Sequence, residues 1–285
     1  MKNFKIKSYC KINLSLSVLN KLRNGYHSIR SLITFCNIYD EIFISEIKGS
    51  KDKINFSGRF KKGISKKINT ITKLLKVLRE NKLIKNKIFK INIKKNIPHG
   101  SGLGGGSSNA ANLLNYLNYK MKLKLDSKSL NNLASKIGSD VEICVKNKNP
   151  FITGKIKKIL RSDKKFNLYL IITYPNIVCS TSRMYKKNKK FSFVKKSINF
   201  PTKKKLFNFL ENEENDLQSI VTKTYPKVKE LIKYISSQNG CYFSRISGSG
   251  SACIGIFSNM KNAIYAQKLI KLKYPKYWSI VSKTI

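Results

Sequence analysis

The sequence predicts an α+β protein built in two layers. Three observations carry that prediction: strand-like alternation and single amphipathic helices intermix without strict βα alternation, a glycine-rich segment joins a strand to a helix, and the mixture resumes beyond a polar connection. With 285 residues and a 41% hydrophobic fraction, the chain has material for one large domain or two ordinary ones.

Alternation of apolar and polar residues marks strands at Phe4–Tyr9, Asn13–Leu19, Glu41–Ile47 and Ile88–Ile93. Between the last two, Ile71, Leu74, Leu75 and Leu78 recur at helical spacing within Ile68–Leu78. The glycine-rich segment Gly100–Gly106 then leads into the stripe Ala110, Leu113, Leu114, Leu117 and Met121, with Ser107, Ser108 and Asn109 as the expected helix caps. Leu130, Leu133 and Ile137 predict a helix over Ser129–Ile137 that stops at Gly138, and Val141, Ile143 and Val145 then alternate as a strand. That strand reading turns Asp140 and Glu142 to one face. The polar stretch Lys146–Ser162, with Pro150 and Gly154, is the expected boundary, giving domains 1–155 and 156–285.

Beyond it, Leu168–Thr173, Cys241–Ile246, Ala252–Phe257 and Tyr277–Ser282 read as strands. Pro226–Gln238 is an amphipathic helix with Val228, Leu231, Ile232 and Ile235 on one face, and Met260–Leu272 is a second. The lysine-rich segment 186–205 reads as a loop or frayed helix, and the acidic cluster Glu211–Asp216 as a solvated loop or cap.

Charge points first to nucleic acid. Fifty-one lysines and seven arginines against 14 acids give +44, and basic surfaces bind phosphate backbones by counterion release. However, the lysines run through the whole chain alongside abundant Asn and Ile, the drift expected of AT-rich coding sequence. Arginine, the better bidentate reader, is scarce. No specific nucleic-acid partner is expected. The six cysteines and two histidines show no metal-ligand spacing, so no protein-borne metal site is expected. Without a signal-like opening or an 18-residue apolar run, the reading is a cytoplasmic protein off the membrane, monomer or homodimer.

The segment Pro98-His99-Gly100-Ser101-Gly102-Leu103-Gly104-Gly105-Gly106-Ser107-Ser108-Asn109-Ala110-Ala111 carries the clearest chemistry. Five glycines within seven residues let the backbone take positive φ and approach a ligand closely. The helix start that follows offers unpaired N–H groups and the positive dipole end, an anion site suited to phosphate. A Walker A loop is excluded by the missing Lys. Gly100–Gly105 matches G-x-G-x-x-G formally, yet no acid lies about 20 residues on in a second strand, Asp126 sitting in a connector.

This segment resembles the nucleotide loop of the GHMP kinases, and its GGGSSNAA form is most similar to the branch acting on a cytidyl diphosphate. The likeness is strong to about Val145 and thin afterwards. It implies a ribosomal-protein-S5-like N-terminal domain, a ferredoxin-like C-terminal domain, and ATP with Mg²⁺ as cofactors. The implied reaction is phosphorylation of the 2-hydroxyl of 4-diphosphocytidyl-2-C-methyl-D-erythritol in non-mevalonate isoprenoid precursor synthesis. Gly138-Ser139-Asp140-Val141 is similar to the family's G-x-D-V, which implies Asp140 as the catalytic aspartate, base or orienter. Tyr9-Cys10-Lys11-Ile12-Asn13-Leu14 is similar to A-K-[IL]-N-L, which places Lys11 beside Asp140 to stabilise charge on the attacking oxygen. The ATP side then comprises Asn69, Lys95, Pro98, His99, Gly100, Ser101, Gly102, Leu103, Gly104, Gly105, Gly106, Ser107 and Ser108.

On the substrate side, Asn24-Gly25-Tyr26-His27 resembles D-G-Y-H, with Tyr26 and Tyr185 implied on the two faces of a cytosine and His27 on its edge. Arg245-Ile246-Ser247-Gly248-Ser249-Gly250 resembles R-[LM]-[ST]-G-[ST]-G; with Asn13 and Thr181, its Gly248 and Ser249 complete the implied substrate set. The chain departs from the pattern at His99, whose side chain is given no role, at Glu142, and at Gly154–Lys157. Two other readings stay open. One is another small-alcohol kinase of the same class, of homoserine or mevalonate type. The other is a basic RNA-binding protein.

Overall fold

The computed structural model describes residues 4–23, 25–146, 149–153, 158–162, 167–193 and 202–285. The chain runs β1 (Phe4–Asn13), β2 (Ser17–Lys21), β3 (His27–Ile47), β4 (Lys53–Ser57), α1 (Thr70–Glu80), β5 (Ile88–Lys94), α2 (Gly105–Lys120), α3 (Ser127–Ile137) and α4 (Ser139–Cys144). It continues with β6 (Asn149–Thr153), β7 (Lys158–Ser162), β8 (Tyr169–Tyr174), α5 (Thr181–Lys187), α6 (Lys203–Glu211), α7 (Gln218–Thr224), α8 (Pro226–Ser236), β9 (Cys241–Ile246), β10 (Cys253–Phe257), α9 (Met260–Lys273) and β11 (Trp278–Lys283). The α+β reading holds. Two compact units form, one from described residues within 1–11, 38–99 and 104–147, the other from those within 12–37, 100–103 and 148–285. The boundary expected at 155/156 falls outside the described residues, as does the altered Gly154–Lys157 loop.

In the first unit, the second half of β3 pairs antiparallel with β5 (Glu41 opposite Lys94, Ile47 opposite Ile88), and β4 adds in parallel to the other side of β5. Helices α1, α2 and α3 pack on one another. Burial of Ile71, Leu74, Leu75 and Leu78 from α1 and Leu113, Leu114 and Leu117 from α2 builds the core. Each such side chain contributes about 1.5–3 kcal/mol on leaving water. α1 starts where Asn69 Oδ1 accepts from the amides of Ile71 (2.9 Å) and Thr72 (3.0 Å), while Thr72 Oγ1 accepts from the Asn69 amide (3.0 Å), a reciprocal capping box.

Two expectations fail in this unit. Residues 141–145 form no strand: Gly138 ends α3 and the chain turns at once into the short helix α4. Val141, Ile143 and Cys144 in α4 and Val145 at its end are all buried, so apolar residues at 141, 143 and 145 mimic alternation in a short helix buried on most sides. Asp140 and Glu142, two helical positions apart, therefore do not share a face. Nor do Ser107, Ser108 and Asn109 cap α2. The helix begins earlier, at Gly105, behind Gly104 in the left-handed region (φ 65°), and Ser108 Oγ instead donates to the Tyr9 carbonyl at 2.7 Å.

In the second unit, β8, β9, β10 and β11 form an antiparallel sheet in the order β11-β8-β10-β9. With α8 packed on β9 and β10, and α9 on β8, β10 and β11, this is the βαββαβ ferredoxin-like arrangement. Val228, Leu231, Ile235, Ile246, Phe257, Ala266 and Ile270 lie in its core. The acidic cluster is solvated only in part: Glu211 and Glu214 are exposed, but the other two acids are engaged internally. Glu213 is buried and takes the Arg30 Nη2 between both its oxygens at 2.6 Å, while Asp216 accepts from the Val18 amide (2.7 Å) and Ser192 Oγ (2.8 Å). Long-range pairing drew these acids inward, which a polar local pattern cannot reveal.

Candidate active site

The strand β5 ends at Lys94, and the chain crosses to α2 through the glycine segment. Gly100 (φ 61°), Gly102 (φ 82°) and Gly104 (φ 65°) hold the left-handed conformation that side-chain-bearing residues avoid. At the start of α2, the amides of Gly105, Gly106 and Ser107 precede the first intrahelical acceptor, and the Ser108 amide closes the first turn on the Gly104 carbonyl at 2.8 Å. This is the geometry of an anion-binding helix start on a 16-residue helix.

Against that loop lies Lys11. A Cβ placed on Gly104 would sit 3.0 Å from Lys11 Cβ and 3.1 Å from its Cε, so glycine at 104 is what lets the lysine pass. Lys11 Nζ donates to Asp140 Oδ2 at 3.0 Å; the lysine side chain is 4% exposed and the carboxylate 42%. A buried cation thus presents an open carboxylate at the first turn of α4. Lys11, Asp140 and Gly104 are brought together although 129 residues separate the ion pair.

Three residues expected on the ATP side have polar atoms engaged internally. Asn69 caps α1 and its Nδ2 donates to the Ser65 carbonyl at 2.9 Å. Lys95, 2% exposed, pairs with the fully buried Asp40. His99 turns its ring to the Lys62 carbonyl, Nε2 donating at 2.9 Å. Asp40 was not singled out by sequence, an acid inside an apolar strand being the available signal, and Asn109, expected as a helix cap, instead donates from Nδ2 to Asp40 Oδ2 at 3.1 Å.

The second unit assembles the other expected residues. Rings of His27 and Tyr185 lie 5.1 Å apart with planes tilted by 34°, and Tyr26 beside them is 62% exposed. Thr181 Oγ1 and Ser249 Oγ are hydrogen-bonded at 2.9 Å. The Asn13 amide donates to Ser247 Oγ (3.1 Å), which in turn donates to the Gly102 carbonyl (3.1 Å). A Cβ on Gly248 would stand 3.2 Å from Asn13 Oδ1, so Asn13 and Gly248 are neighbours. Arg245 is structural: it donates to the carbonyls of Leu14, Leu210 and Glu213, and burial, partly offset by Glu214 and Glu213, brings its pKa down to about 10.

Burial, with Lys21 adding a smaller effect, holds the His27 imidazole below its usual pKa. The folded state therefore binds this proton less readily than the unfolded chain. Its effect on stability is nil above the unfolded value and turns unfavourable as pH falls through the window below it. An NMR titration should find His27 titrating below about 6.5. A midpoint above that value would contradict the burial argument.

The model for the GHMP kinases N terminal domain matches residues 69–148, and that for the GHMP kinases C terminal domain matches residues 202–274. Fold and glycine loop together define a kinase of the GHMP class. The 4-diphosphocytidyl-2-C-methyl-D-erythritol kinase of Pelagibacter ubique (strain HTCC1062) is 42% identical, covering 100% of each chain; that of Wolbachia pipientis wMel is 35% identical, covering 98% of this chain and 97% of its own. The chain belongs to the 4-diphosphocytidyl-2-C-methyl-D-erythritol kinase family. Two solved structures share its fold. A 4-(cytidine 5′-diphospho)-2C-methyl-D-erythritol kinase superposes with a TM-score of 0.74 at 22% identity, covering 99% of this chain and 100% of its own. Homoserine kinase from Cytophaga hutchinsonii ATCC 33406 superposes at 0.71 and 15%, covering 100% and 95%. Among the described residues, no helix is long and apolar enough to cross a membrane.

Proposed function

We propose that the protein transfers the γ-phosphoryl group of ATP to the 2-hydroxyl of 4-diphosphocytidyl-2-C-methyl-D-erythritol, a step in non-mevalonate isoprenoid precursor synthesis. The observation that carries this reading is the Lys11–Asp140 pair at 3.0 Å, seated against Gly104 of the glycine loop. Asp140 accepts the hydroxyl proton as the substrate oxygen bonds to the γ-phosphorus, and the bond to the β–γ bridging oxygen breaks to release ADP. Lys11 stabilises the charge on the attacking oxygen. The amides of Gly105, Gly106 and Ser107 hold phosphate oxygens.

Among the described residues no group of three or more His, Cys, Asp or Glu could hold a metal, while Asp140 is an open carboxylate by the loop. That donor set fits a Mg²⁺ carried on the ATP phosphates and water rather than in a protein cage. When bound, the ion neutralises charge on the β- and γ-oxygens. On the substrate side, Tyr26, His27 and Tyr185 take the cytosine, with Asn13, Thr181, Gly248 and Ser249 along the rest of the molecule. Aromatic faces with a hydrogen-bonding ring nitrogen suit a base and have no counterpart to match in homoserine or mevalonate.

An ADP-release assay over the three alcohols tests this, with turnover expected only on the cytidyl diphosphate; turnover confined to homoserine or mevalonate would overturn the substrate. Both substrates are polyanions and the chain carries +44. The kcat/KM should therefore fall several-fold between about 20 and about 200 mM salt while kcat moves less than about twofold. A salt-independent kcat/KM would remove the positive field from the account.

A further inference from the structure

We propose that Asp40 is a positioning residue for nucleotide binding: one buried carboxylate fastens both ends of the glycine loop and so preorganises it. The inference rests on the kinase reading above. Asp40 is fully buried near the middle of β3. Its Oδ1 accepts from the amides of Asn96 (2.7 Å) and Ile97 (2.9 Å), the two residues that lead into Pro98. Its Oδ2 accepts from Asn109 Nδ2 (3.1 Å), in the second turn of α2 just past the loop, and from Lys95 Nζ. The lysine braces the same helix start, because a Cβ on Gly105 would stand 3.2 Å from Lys95 Nζ and 3.1 Å from Ile97 Cγ2.

A loop with three left-handed glycines is intrinsically loose, and fixing it on ligand binding costs conformational entropy. Tying residues 96, 97 and 109 to one carboxylate fixes the span across which the loop must close before nucleotide arrives. Such preorganisation appears as affinity for the ligand the loop grips and not for a ligand held elsewhere. The pair also explains why Lys95 matters among 51 lysines: its charge neutralises a carboxylate that burial would otherwise penalise.

The test uses Asp40→Asn and the double variant Asp40→Asn/Lys95→Met. An amide at 40 still accepts from the 96 and 97 amides but turns an uncharged N–H toward the Lys95 ammonium and the Asn109 Nδ2, so the ion pair is lost and Asn109 can be held only by turning its buried Oδ1 over, which weakens the far tie. Nucleotide affinity is read directly by calorimetric titration with ADP, beside KM for ATP and for the alcohol. For Asp40→Asn we expect nucleotide affinity at least about tenfold weaker, with the alcohol KM within about twofold. The double variant removes the stranded ammonium and should regain most of the lost melting temperature while nucleotide affinity stays weak. Recovery of both together would reduce the pair to charge balance and overturn the proposal.

If the double variant does not fold, Gly105→Ala reads the same contact in a helical position, pressing a methyl on Lys95 and Ile97. Nucleotide affinity unchanged within about twofold would then overturn it. Absence of ADP binding by the wild-type chain would instead sink the kinase reading, a distinct outcome.

Discussion

Replacing Asp140 by Asn is expected to lower kcat by about 10²–10⁴-fold, the range removed with a positioned proton acceptor, while ADP affinity stays within about twofold. The substitution is close to isosteric. Its side-chain oxygen can still accept from Lys11 Nζ, now 3.0 Å from Asp140 Oδ2, so the lysine keeps its place along Gly104. What disappears is the negative charge and the capacity to take a proton. The carboxylate is 42% exposed and contributes little by itself, but the amide leaves the 4%-exposed Lys11 ammonium without its counter-charge, so melting should fall by several degrees while the chain stays folded. The phosphate-binding amides of α2 are untouched, which is why binding and turnover separate. Single-turnover kinetics with bound ATP would isolate the chemical step. Near-normal turnover would show that Asp140 neither takes the proton nor orients the hydroxyl.

Helices with long apolar stripes were legible because a 3.6-residue period over 11 or more residues has few competing explanations. α1, α2, α3, α8 and α9 all overlap the stretches where that period appears. β3 was legible only at its end. From Ser31 to Cys36 it is buried at every position, so no alternation betrays it, and its register comes from strands elsewhere in the chain. β4 is five residues opening on a lysine, too short to stand out from its polar surroundings.

The candidate site divides the same way. Lys11, Asp140 and the glycines were found because each sits in a short motif that chemistry constrains locally. Asp40, Lys95 and Asn109 form one buried network across separations of 55 and 69 residues, and Arg30 meets Glu213 across 183. Only the folded chain supplies those pairings. Asp40, Glu213 and Asp216 are drawn into internal hydrogen bonds, and among the described residues Asp140 is the acid both open to solvent and held by a buried lysine.

Gly102→Ala is expected to be the most damaging single methyl in the loop. At φ 82° an L side chain is strained by about 1–2 kcal/mol. The added Cβ would also lie 2.0 Å from the Ser247 carbonyl oxygen and 3.1 Å from the Gly250 amide nitrogen. Those are backbone atoms that no rotamer can move aside. They belong to a turn held by the Ser247 amide on the Ala252 carbonyl (2.9 Å), by Ser247 Oγ on the Gly102 carbonyl, and by the Ala252 amide on the Ser101 carbonyl (3.0 Å). Relieving the clash must break at least one of these bonds, so overpacking of about 1–3 kcal/mol adds to the strain. Together they amount to about 2–5 kcal/mol, or a fall in melting temperature of about 5–15 °C for a chain of this size. A loop displaced by about 1 Å should also cost about 10² in kcat/KM for ATP. Gly106→Ala is the stability control: it lies in the helix, its Cβ would meet Thr70 Oγ1 at an ordinary 3.5 Å, and melting should change by no more than about 2 °C. Equal melting temperatures for the two variants would mean that the turn at 247–250 yields freely, and that Gly102 is not required for close approach.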